Sequence, residues 1–147
     1  MGEVLFYHLS ETPLERTLPG LIEKSLHRGW RVYVRGGHRE RLAMLDDFLW
    51  TYRDDSFLPH GMADPARQPV FLSDAAGNPN AANVLMLIDG LALDSRDTEE
   101  FERVCVLFDG NDADATQSAR SDWLRVSKAG GEAIYWAQEN GRWVRKS

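Results

Sequence analysis

Two short apolar runs joined by one amphipathic segment constrain this chain more than any other feature. Val4-Leu5-Phe6-Tyr7-His8-Leu9 is made of β-branched, aromatic and aliphatic residues and reads as a buried strand. Thr12-Pro13-Leu14-Glu15 follows with helix-start signals: a hydroxyl able to cap, a proline suited to the first helical position, and a glutamate at the capping-box position. Leu14, Leu18, Leu21, Ile22 and Leu26 share one helical face, which Pro19-Gly20 interrupts, predicting a kink or a late start there. Gly29 stops the helix, and Arg31-Val32-Tyr33-Val34-Arg35 is the next strand, ended by Gly36-Gly37. A second helix runs from His38 to Trp50 with Leu42, Leu45, Phe48 and Leu49 facing inward. Strands alternating with helices define an α/β domain with a mixed, mostly parallel sheet flanked by helices.

The second half adds strands at Val70–Ser73 and Val84–Ile88. The connection between them, DAAGNPNAAN, is too short for a packed crossover helix, so the pair is expected to be antiparallel. Residues 101–108 begin as helix or loop and end as a strand from Val104. A last helix spans Asp112 to Lys128, and a hairpin around Asn140-Gly141 joins Ala133–Ala137 to Arg142–Val144. At 147 residues, with no linker-like segment, one domain over residues 1–147 is expected.

Cys105 is the only cysteine, which excludes a disulfide scaffold. No apolar run approaches the roughly 20 residues needed to span a bilayer, and MGEVLFYHLSE has no secretory pattern. A cytoplasmic location is the expectation. The net charge of −6 argues against a sequence-independent grip on DNA. It is unevenly distributed: residues 16–41 carry +5, residues 89–114 carry −7 and residues 120–146 carry +3.

Enzyme chemistry finds little support. The turn RGGHRER at residues 35–41 sits where a phosphate loop would, yet it lacks both GxxxxGK[ST] and GxGxxG. Gly36-Gly37-His38-Arg39 at a helix start keeps open an anion- or nucleotide-binding reading. His8, His27, His38 and His60 occur in no metal-ligand spacing, and there is no GxSxG. No cofactor is expected. Direct DNA binding through Arg28, Arg31, Arg35, Arg39 and Arg41 is a further alternative.

Residues 45–61 read LDDFLWTYRDDSFLPHG, with Trp50 and Phe57 near the exit of a helix. This LDxxLW…SFxPH segment stands with FYHL at Phe6–Leu9, GWRVYV at Gly29–Val34, PVFL at Pro69–Leu72, and a late helix holding Ala119-Arg120-xx-Trp123 before a final strand ending in Trp143. Together they resemble the chi subunits of bacterial DNA polymerase III holoenzyme. The resemblance implies a nucleotide-binding-like core without a phosphate loop and a non-catalytic adaptor in the replisome. Such subunits link the clamp loader, through the psi subunit, to the acidic C-terminal tail of single-stranded-DNA-binding protein, and so meet DNA indirectly and no membrane.

A tail ending in phenylalanine needs an apolar slot and a cation for its carboxylate. The resemblance assigns the slot to Trp50, Phe57 and Trp123 and the cation to Arg120. Arg120 and Trp123 are three residues apart and share a helical face. Thr116 and Leu124 stand where the family often has basic residues; Arg125 and Lys128 are the expected compensation.

Overall fold

The computed structural model describes residues 2–52 and 58–146. Its strands are β1 (Glu3–Leu9), β2 (Val32–Arg35), β3 (Val70–Ser73), β4 (Val84–Leu87), β5 (Arg103–Asp109), β6 (Ala133–Glu139) and β7 (Arg142–Arg145). Its helices are α1 (Leu14–His27), α2 (Arg39–Thr51), the short α3 (Asp97–Glu100) and α4 (Ala113–Lys128). The strands form one sheet in the order β3-β2-β4-β5-β1-β6-β7. All neighbours pair in parallel except β6 and β7.

The uninterrupted apolar character of the central strands follows from burial on both faces. Val32 and Val34 point toward α1 and α2, in a cluster with Leu18, Ile22, Leu42, Leu45 and Leu49. Tyr33, between them, points the other way, into a cluster with Phe71, Leu85, Phe101 and the α4 residues Ala115, Ala119 and Val126. The period of two along a strand therefore feeds two separate cores.

The expected antiparallel pairing of Val70–Ser73 with Val84–Ile88 is overturned. The two strands lie on either side of β2, both parallel to it. The ten-residue connection does make a crossover, as irregular chain rather than helix. Side chains join it to β2 in both directions: the Tyr33 hydroxyl donates to the Ala75 carbonyl and Arg35 Nη2 to the Gly77 carbonyl at 2.7 Å, while Asn80 Nδ2 of the loop donates to the Val32 carbonyl of β2 at 2.9 Å. Arg35 is itself buried and ion-paired with Asp97 at 3.0 Å, which ties α3 to β2.

Smaller differences have local causes. α1 begins at Leu14 with Pro13 as N-cap and no side-chain cap bond, so the Thr12 capping box does not form. The Thr12 hydroxyl accepts from Gln138 Nε2 at 2.6 Å, and Glu15 pairs with Arg41. The helix runs without a break across Pro19. At the hairpin, Asn140 and Gly141 both take positive φ, 52° and 76°, as a two-residue turn of this kind requires.

Candidate functional site

α4 carries the residues that matter most. Asp112 caps it by accepting from the backbone N–H groups of Asp114 and Ala115, at 3.0 and 3.2 Å. The small side chains of Ala115 and Ala119 are buried against the sheet. Arg120 and Trp123 then project on the side that faces β6. Between them and the sheet lies a groove of about 400 Å³ lined by His8, Arg120, Trp123, Tyr135, Ala137 and Lys146. That volume is in the range of small-ligand sites.

Strand register builds the floor. His8 pairs with Ala137 across β1 and β6, and Tyr135 lies two residues away on the same face. His8 Nδ1 and the Tyr135 hydroxyl share a hydrogen bond of 2.7 Å. The imidazole also lies 5.1 Å from the Phe108 ring. Gly110 closes over it, and a Cβ there would overlap the His8 ring. Burial, followed by the nearby Arg120 cation, holds the His8 pKa below its ordinary value, with Asp109 opposing. Burial raises the Tyr135 hydroxyl, and Arg120 opposes that shift.

The cationic side of the groove is available. Arg120 is exposed and has no hydrogen bond or ion pair among the described residues. The Trp123 Nε1–H is buried and has no acceptor among them. Lys146 pairs, among the described residues, only with the exposed carboxylate of Glu139. The arrangement presents aromatic surface, an unpaired guanidinium and a loosely held ammonium, which is chemistry for an anionic ligand with an apolar end.

Arg120 and Trp123 are thus brought together, while Trp50, Arg125 and Lys128 are not part of that groove. Trp50 lies in the last turn of α2, on the opposite face of the sheet and beside edge strand β3. It is 46% exposed and lies 4.1 Å from the buried ring of His60. Gly61, next to His60, bridges to Phe71 on β3. From β3 to β1 is four strand spacings, about 19 Å. A single slot containing both Trp50 and Trp123 is therefore not formed, because their helices pack on different cores. Phe57 lies outside the described residues. Arg125 turns away, pairing with Asp122 and donating to the Leu93 carbonyl at 2.8 Å. Lys128, at the end of α4, does not line the groove.

The sequence reading missed His8, Tyr135, Ala137 and Lys146. The basic excess over residues 120–146 included Lys146, but only the parallel placement of β6 beside β1 puts it near Arg120.

The alternatives lose their residues to internal contacts. Arg31 is held by the carbonyls of Pro65, Ala66, Gln68 and Asn80. Arg35 is buried against Asp97, Arg41 is paired with Glu15 and Asp89, and Arg28 lies 3.9 Å over the Trp30 ring. Of the five arginines proposed to grip DNA, Arg39 alone has no such contact among the described residues. The depression beside Gly37 and Arg39 is also walled by Glu40, Asp74 and Asp89. A crevice of about 390 Å³ at the carboxyl ends of β1 and β5 is walled by Glu11, Glu15, Asp89 and Asp109. Arg41 also lines both depressions; the crevice at β1 and β5 has an excess of carboxylates, which opposes a phosphate, whereas the depression at Gly37 is nearly balanced. Among the described residues no group of three His, Cys, Asp or Glu side chains is placed for a metal ion, and no helix is long and apolar enough to cross a membrane.

Comparison with known proteins finds sequence relatives over most of the chain. A probable DNA polymerase III subunit chi from Rickettsia prowazekii (strain Madrid E) is 33% identical over 91 residues. That alignment covers 60% of this chain and 55% of the relative, so it spans about half the relative's length. The family model described as DNA polymerase III chi subunit, HolC, matches residues 1–133, from β1 through α4 to the first residue of β6. With that match spanning most of its length, the chain belongs to the DNA polymerase III chi subunit family.

Proposed function

We propose that this chain is a non-catalytic replication accessory subunit whose α4–β6 groove binds the acidic C-terminal tail of single-stranded-DNA-binding protein and links it to the clamp loader. Family membership supports the accessory role in replication. The observation that carries the tail assignment is the pairing of an unengaged Arg120 with an aromatic groove. The terminal phenylalanine ring packs against Trp123, Tyr135 and Ala137. Its carboxylate takes two parallel N–H bonds from the Arg120 guanidinium, a geometry a planar fork favours. Arg125 and Lys128 add only long-range positive charge from the far side and end of α4.

The exposed Trp50, on the other face, is assigned to the second partner, psi or the clamp loader itself. Two partners held at once require two separate surfaces, and Trp50 and Arg120 lie on separate surfaces.

Calorimetric titration with a short aspartate-rich peptide ending in a free phenylalanine carboxylate tests the reading. Arg120→Ala is expected to weaken binding at least tenfold, about 1.4 kcal/mol, with melting temperature unchanged. Arg39→Ala and Trp50→Ala are expected to leave it alone. Binding is expected to weaken with salt, since exposed charges are screened over about 8 Å at physiological ionic strength. Equal losses in Arg39→Ala and Arg120→Ala, or affinity independent of salt, would overturn the assignment.

A further inference from the structure

The hairpin face that carries Tyr135 and Ala137 lines the α4 groove and continues beyond it toward the turn, where Glu139, Arg142 and Val144 are not part of the groove lining. Tyr135, Ala137 and Glu139 alternate along β6, and Val144 on β7 is the cross-strand partner of Ala137. Lys146 continues that face, its N–H donating to the Tyr135 carbonyl at 2.7 Å. The Lys146 ammonium reaches back along the hairpin to the Glu139 carboxylate, so the ion pair lies across the half-buried Ala137–Val144 pair. The two side chains are 45% and 48% exposed. Exposed pairs of this kind add little stability and exchange readily with solvent or a competing ion. On the same face Arg142 is the direct cross-strand partner of Glu139.

From this placement we infer that the groove continues from Arg120 over the hairpin face, and that Glu139 holds Lys146 in the place of a ligand carboxylate. An acidic peptide running over Ala137 and Val144 displaces Glu139 from Lys146, and Glu139 then faces Arg142. The released lysine receives an acidic side chain upstream of the peptide's terminal residue. The exchange costs little, because an ion pair is formed for the one broken and Glu139 keeps a cationic neighbour. Glu139 thereby sets how strongly an acidic peptide competes for the hairpin. This rests on the tail-binding reading above and adds to it a second cation and an internal competitor.

The test uses the full chain and the same aspartate-rich peptide ending in phenylalanine. Glu139→Gln is expected to tighten binding about threefold to fivefold, the scale of an exposed ion pair, and Lys146→Ala to weaken it by a similar factor. In a Lys146→Ala background, Glu139→Gln is expected to give no gain. Glu132→Gln makes the same change in net charge at an exposed position just before β6 and is expected to change nothing. Overturning results are no gain in Glu139→Gln, an equal gain in Glu132→Gln, or a gain that persists without Lys146. Failure of Arg120→Ala to weaken the peptide is a different result and would instead remove the tail-binding reading.

Discussion

His8 is the residue whose environment differs most between the linear sequence and the folded chain. In the sequence it is one histidine of four with no ligand spacing; in the fold it is the floor of the groove, bonded to Tyr135. Its folded pKa is lowered, first by burial and then by Arg120. The unfolded chain therefore binds more protons than the folded one, so stability rises with pH through this window. The contribution is fully present above the ordinary value of 6.5 and is lost as pH falls below that value and through the lower folded one. Thermal melting from pH 8 to pH 5 is expected to fall more steeply for the wild type than for His8→Asn; parallel curves would show that His8 is not the group responsible. Cys105 is the opposite case, a free thiol packed in the core. Burial pushes its pKa up to about 12, so an aromatic disulfide reagent is expected to label it only at the rate of unfolding.

At the level of elements, two junctions hold the groove and the sheet in place. The first is the approach of the β5–α4 turn to β1, where Gly110 leaves room for the His8 ring. Gly110→Ala is expected to displace that ring at a cost of about 1–3 kcal/mol, typical of overpacking, and to weaken peptide binding together with stability. Normal binding in that variant would show that the His8 ring does not form the floor. The second is the Arg35–Asp97 pair, which fixes both the irregular crossover and α3. Removing one partner of a buried pair leaves an uncompensated charge, so Asp97→Ala is expected to lower stability by about 3–5 kcal/mol in a denaturant titration. The crossover is also where the sequence misleads. Its length excludes a helix, and parallel strands are ordinarily joined through one. Tyr33 and Arg35 hold the loop backbone instead, with Asn80 bonding back to β2, and nothing local in DAAGNPNAAN reports that strand side chains will reach it.

Across the whole molecule, the sheet separates two cores and two candidate surfaces. Strands β4, β5 and β1 are paired on both sides and covered on both faces, whereas β3 and β7 are the edges. Amide hydrogen exchange is expected to be slowest in the central three and fastest at β7, whose outer edge has no strand partner among the described residues. Uniform protection from β3 to β7 would contradict this order. The same geometry divides the two proposed functions, since a ligand on α4 and β6 leaves α2 and the β3 edge uncovered.

Local physics makes much of this chain legible from its residues alone. Apolar runs such as Val4–Leu9 and Val32–Val34 are strands because only burial on both faces suits them, and Asn140-Gly141 is a hairpin turn because its backbone tolerates positive φ. Arg120 and Trp123 are legible as a pair because helical spacing by itself puts them on one face. Strand order is not legible, because pairing joins residues far apart in the chain and periodicity says nothing about which strands become neighbours. That order puts His8 beside Tyr135, brings Lys146 toward Arg120, and sends Trp50 to the other side of the sheet. The chemistry of the groove is therefore written in the residues, but its membership is decided by tertiary structure, through the pairing of β1 with β6.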